Sequence, residues 1–87
     1  MAYRIVIERG ARKAFAALPE AMRRRMGNAI DGLAVNPRPV GAKALAGGRG
    51  LLRIRVGDYR IIYRVNDDAL EVQIVAIGHR REVYRGR

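Results

Sequence analysis

Apolar and polar positions alternate from Tyr3 to Glu8, with Tyr3, Ile5 and Ile7 on one side and Val6 on the other, which predicts a strand. The period then lengthens. Ala11, Ala14, Phe15 and Leu18 recur at helical spacing, and Pro19 biases Leu18 away from helical backbone, so a first helix is predicted over Ala11 to Leu18. A second is predicted from about Glu20 to Val35. Met22, Met26, Ala29, Ile30 and Leu33 form its apolar stripe, Arg23, Arg24, Arg25, Asn28 and Asp31 fall mostly outside it, and Asn36-Pro37 ends it. Two helices joined this tightly make an antiparallel hairpin, whose shared apolar face must be covered. A sheet is the available cover.

The stretch Asn36 to Gly50 carries two prolines and four glycines and reads as a loop between helices and sheet. Three runs of strand composition follow, Leu51 to Val56, Tyr59 to Val65 and Leu70 to Ile77, separated by Gly57-Asp58 and by Asn66-Asp67-Asp68. They predict an antiparallel meander. The expected fold is α+β, in the order β-α-α-β-β-β, with a helical hairpin on one face of a small antiparallel sheet and residues 1–87 forming a single domain.

Composition restricts the chemistry. The chain has 87 residues and contains no Cys, Ser, Thr or Trp, so nucleophilic centres built on a hydroxyl or thiol of those residues are excluded. One histidine, His79, and scattered carboxylates do not make a metal site, and no metal or other cofactor is expected. No apolar run is long enough to span a bilayer, and a cytoplasmic protein is expected. Positive charge is abundant: 18 Lys plus Arg against 8 Asp plus Glu give a net +10, and all but two of the cations are arginine. A polyanion is the natural partner.

The hairpin register places that charge. With Gly57-Asp58 as a two-residue type II′ loop, Val56 pairs with Tyr59 and Arg55 with Arg60. Leu52, Ile54, Val56, Tyr59, Ile61, Tyr63 and Val65 then share an apolar face, while Arg53, Arg55, Arg60 and Arg64 line the opposite one with Ile62 among them. A three-residue loop would bury arginines. Like charges directly opposed across a sheet cost stability, so stability alone does not select this arrangement. It is either a solvated outer face or a cluster whose forked donors match phosphate oxygens. Glu71 is the sole acidic residue that the third run brings to it.

Other candidates carry less. Arg23, Arg24 and Arg25 form a solvated helix face that can add phosphate affinity, as can Arg49 and Arg81. Gly47-Gly48-Arg49-Gly50 lacks the Gly-Lys-Ser/Thr of a nucleotide-binding P-loop. Strand parity counted from Glu71 and Gln73 sends His79 to the arginine face and Arg80 to the apolar side.

The order of strand, helical hairpin, Asn36-Pro37-Arg38-Pro39, then Arg53-Ile54-Arg55-Val56-Gly57-Asp58-Tyr59-Arg60 and Gly78-His79-Arg80-Arg81-Glu82-Val83-Tyr84 resembles the RelE family of the RelE/ParE toxin superfamily, over essentially the whole chain. The resemblance implies the toxin of a type II toxin–antitoxin system: a ribosome-dependent endoribonuclease that cuts messenger RNA in the A site. The substrate's 2′-hydroxyl attacks the adjacent phosphate, without a metal or protein nucleophile. By the same resemblance Arg53 and Arg55 match paired basic residues of the second strand, Arg60 the arginine after the turn, Arg80 the basic residue after the last strand, and Tyr84 the C-terminal tyrosine.

Some relatives carry lysines where Arg53 and Arg55 stand. Arginine is a poor proton acceptor, so these two are cast as charge stabilisers. Proton transfer then falls on Tyr84 or His79 as base, and on Arg80 or His79 towards the leaving oxygen. Arg64 and Arg81 are assigned to RNA binding with Arg23, Arg24, Arg25 and Arg49. The implied partners are an acidic, RelB-like antitoxin, the ribosome with its message, and operator DNA through the antitoxin only. Two other readings stand beside this one: a ParE-like inhibitor of DNA gyrase that does not cut RNA, and a non-catalytic nucleic-acid-binding module.

Overall fold

The computed structural model describes residues 2–47 and 49–79. Among these, β1 (Arg4–Ile7) leads into α1 (Arg9–Ala16) and α2 (Glu20–Val35), and then into β2 (Lys43–Ala44), β3 (Leu51–Val56), β4 (Tyr59–Asn66) and β5 (Glu71–His79). The strands form one sheet in the order β1-β5-β4-β3-β2. The α+β class and the helical hairpin are as the pattern predicts, and Pro19 separates the helices at the N-cap of α2.

The core lies between the helices and one face of the sheet. Ala11, Leu18, Met26, Ile30 and Leu33 pack on Ile54, Val56, Ile61, Tyr63, Val72, Ile74 and Ile77, with Tyr3, Ile5 and Ile7 at its margin. The β3–β4 register is the one deduced from the loop length, with Val56 opposite Tyr59 and Arg55 opposite Arg60. Gly57 has φ 62° whereas Asp58 is not left-handed, the pattern of positive φ at the first central position that a type II′ turn requires.

Three features depart from the sequence reading. The sheet is mixed rather than antiparallel throughout, because β1 pairs in parallel with β5 from Arg4–Glu71 to Ile7–Ile74. The Pro- and Gly-rich stretch is not all loop: Lys43 and Ala44 pair with Arg53 and Leu52 as an edge strand. The third is a bulge. Ile62 pairs with Ala76 but Tyr63 with Ile74, so Val75 is an extra residue on β5. Alternation resets there, which is why Val72, Ile74 and Ile77 all reach the core.

Candidate nucleic-acid interface

The face of the sheet away from the helices carries Arg53 and Arg55 from β3, Arg60 and Arg64 from β4, and Lys43 from β2, which lies opposite Arg53. Successive same-face residues on a strand are about 6.5–7 Å apart and paired strands about 5 Å apart, so Arg53, Arg55 and Arg60 form one contiguous cluster. It sits on an apolar floor. Ile62 is fully buried on this face, flanked by the half-buried Arg53 and Arg60, and Leu51 is buried opposite Arg64. Arginine stems cover such apolar surface while their heads remain available to a ligand.

The acidic groups at the edge of this face are already engaged. Glu71 binds Arg4 at 2.7 Å, and Glu8 accepts a 2.6 Å hydrogen bond from the Gln73 side chain, whose carbonyl oxygen lies 3.4 Å from an Arg64 donor. Among the described residues the ion pairs are Arg4–Glu71, Arg24–Glu20 and Arg38–Asp67, and none involves Arg53, Arg55 or Arg60. The Arg60 Nε–H is buried and meets no acceptor among those residues. A buried donor left unpaired costs about 1–3 kcal/mol, and a charged one more.

His79 does not join the cluster. Its expected place on the arginine face rested on unbroken alternation along β5, and the Val75 bulge inverts that alternation. His79 pairs with Tyr59 on the helix side of the sheet, and the two rings meet edge to face, with centroids 5.7 Å apart and planes at 77°. Gly78 takes the place opposite Arg60. Arg80, Arg81 and Tyr84 lie outside the described residues.

The arginines of α2 diverge. Arg23 is half-buried and donates to the Leu18 carbonyl at 3.0 Å, which ties α2 to the turn between the helices. Arg24 is exposed and pairs with Glu20 one turn away at 3.5 Å. Arg25 lies against the hairpin turn: a Cβ on Gly57 would come within 3.2 Å of its Nη1. Arg49 is exposed in the β2–β3 connection in a left-handed conformation, φ 53°.

A long-range clasp, missed in the sequence, holds the segment that leads to β2. Arg38 donates to both oxygens of Asp67 at 3.1 and 2.9 Å, and the Tyr3 hydroxyl donates to the same carboxylate at 2.7 Å. The hydrogen bonds from Arg38 and then Tyr3 hold the Asp67 carboxyl below the usual carboxylate range, and the bond to Asp67 pushes the Tyr3 phenol up. Beside it the Tyr63 hydroxyl donates to the Pro37 carbonyl at 2.7 Å, and burial raises the Tyr63 phenol.

The arrangement is a rigid basic face with an apolar floor, backed by a helical hairpin, and comparison places it in a family. The profile described as ParE toxin of type II toxin-antitoxin system, parDE, matches residues 5–84. The chain belongs to the RelE/ParE superfamily of type II toxins. Among solved structures, the archaeal RelE–RelB complex from Pyrococcus horikoshii is 34% identical, with 94% of this chain and 99% of that chain covered and a TM-score of 0.81. The RelBE2 toxin–antitoxin complex of Mycobacterium tuberculosis is 27% identical over 92% and 100% of the two chains, TM-score 0.79. The isolated Escherichia coli RelE toxin is 26% identical over 98% and 94%, TM-score 0.79. No curated protein matches the sequence. As a RelE/ParE toxin, the chain presents Arg53, Arg55 and Arg60 on the sheet face away from the helices.

Proposed function

We propose that this toxin is a ribosome-dependent endoribonuclease that cuts messenger RNA in the A site through attack of the substrate's own 2′-hydroxyl. The observation that carries the reading is the cluster of Arg53, Arg55 and Arg60 on one face of the sheet, with no ion pair to any of the three among the described residues. The 2′-oxygen bonds to phosphorus, the bond from phosphorus to the 5′-oxygen breaks, and the products are a 2′,3′-cyclic phosphate and a 5′-hydroxyl. Negative charge grows on the phosphoryl oxygens as the five-coordinate state forms. Guanidinium groups carried side by side on the sheet stabilise it. Among the residues the resemblance assigns, Tyr84 takes the proton of the 2′-hydroxyl and Arg80 supports the leaving oxygen.

The same reading names the partners. The structural relatives include toxin–antitoxin complexes with RelB, and an acidic antitoxin would complement a +10 chain and mask the arginine face. Contact with operator DNA runs through that antitoxin, and the protein acts in the cytoplasm with its ribosomal target.

The second reading, an inhibitor of DNA gyrase that leaves RNA intact, is favoured by the ParE profile itself. Mapping the 5′ ends of translated messages after brief induction separates the two. New ends inside reading frames, in step with codons, support the endoribonuclease; intact messages with a DNA-damage response decide for gyrase.

A further inference from the structure

The cluster stabilises charge, yet the departing 5′-oxygen also needs a proton, and a guanidinium gives one up poorly near neutral pH. His79 lies across the sheet beside Tyr59. Tyr59 and Tyr63 share that helix side, Tyr3 is engaged with Asp67, and Glu71 with Arg4. Among the described residues of the arginine face, one cation remains that is not a guanidinium and belongs to a class of stronger acid. It is Lys43.

Lys43 occupies β2, the strand hidden in the Pro- and Gly-rich stretch, and its register partner is Arg53. Paired residues share a face, so the ammonium stands beside Arg53 at the open edge of the sheet, within a lysine's reach of a phosphate held by Arg53. The strand is held at both ends. Leu45 donates its backbone N–H to the Leu51 carbonyl at 3.0 Å, and the preceding segment is pinned by Arg38 on Asp67 and by the Tyr63 hydroxyl on Pro37. The chain has only one other lysine, Lys13, on α1.

We infer that Lys43 is a catalytic residue of the proposed cleavage, the general acid that protonates the leaving 5′-oxygen. The inference rests on the endoribonuclease reading. As the bond from phosphorus to the 5′-oxygen breaks, the electron pair stays on that oxygen and takes a proton from the Lys43 ammonium; the neutral amine is recharged from solvent. The proton of the attacking 2′-hydroxyl leaves separately to the base.

Ribosomes programmed with a message carrying either the ordinary linkage or a sulfur in place of the 5′-oxygen at the cut site test this. A thiolate leaves without needing a proton. Lys43→Arg keeps the charge, and the cation that discourages pairing at a sheet edge, but replaces an ammonium by a guanidinium, a weaker acid. The inference predicts that Lys43→Arg and Lys43→Ala cut the oxygen linkage about 10²-fold or more slowly, the usual weight of a general acid. Lys43→Arg should cut the sulfur linkage at close to the parental rate. Undiminished cutting of the oxygen linkage by Lys43→Arg would overturn the inference, and so would an equal loss on both linkages, which marks a binding role. A parental protein that cuts neither linkage overturns the endoribonuclease reading itself, a separate and visible result. Lys43 is exposed, and urea unfolding of each variant confirms that the fold is retained.

Discussion

Arg55 and Arg60 stand directly opposite each other across the β3–β4 hairpin, two like charges with no carboxylate paired to either among the described residues. Cross-strand like charges are destabilising by a few tenths to about 1 kcal/mol. Arg55→Thr should therefore raise stability by about that amount in urea unfolding, as threonine also suits a strand. The same substitution should weaken cutting. Gained stability with lost activity would mark the pair as a functional compromise; a loss of stability would show that the repulsion is already relieved.

Gly57 sets the register that brings the arginines together. Its φ of 62° disfavours any side chain, and a Cβ there would press within 3.2 Å of Arg25 Nη1 and Met22 Cε. Gly57→Ala should cost about 1–2 kcal/mol from the left-handed backbone alone. Gly57→Asn, better suited to positive φ, should cost less. Equal unfolding midpoints for the two would remove backbone conformation as the cause.

The Asp67 clasp predicts an acid-sensitive component of stability. The Asp67 carboxyl is held low in the fold, so its contribution is complete above the ordinary carboxylate range and is lost as pH falls through the lowered value. Asp67→Asn should lower Tm at neutral pH, and the gap to the parent should close in acid. Tyr3 runs the other way. Its phenol is raised, so its share persists at neutral pH and disappears only as alkaline pH passes through the raised value. Thermal melts across pH for the parent, Asp67→Asn and Tyr3→Phe check both signs.

The buried hydrogen bond from the Tyr63 hydroxyl to the Pro37 carbonyl ties β4 to the segment before β2. Tyr63→Phe leaves that carbonyl without its partner and should cost about 1–3 kcal/mol in urea unfolding. If Lys43 acts as inferred, cutting should fall with it, because the strand that carries Lys43 loses an anchor.

Much of this architecture is legible in the chain, for local reasons. Gly57-Asp58 between two alternating runs admits one register that keeps arginines out of the core, and Pro19 and Pro37 bound the second helix. What escaped depends on distant partners. Lys43 and Ala44 are strand only because β3 offers them an edge. The parallel seating of β1 on β5 joins residues more than sixty positions apart. The bulge at Val75 is masked by the unbroken apolar run from Ile74 to Ile77, in which either phase of alternation looks equally good, and the phase decides on which side His79 falls. Arg38 and Asp67 carry no mark of their pairing, since each sits in a segment whose local pattern explains it as a turn.

The measurement closest to the central claim is single-turnover cutting of a defined message in the A site of purified ribosomes, with the parental protein and with Arg60→Ala. Arg60 supplies the buried Nε–H and sits within the arginine cluster, so its loss should slow cutting by 10²-fold or more, the scale of one charge-stabilising donor (about 3 kcal/mol), while ribosome binding is kept. Cutting by Arg60→Ala at the parental rate would show that the arginine face is not where the phosphate reacts.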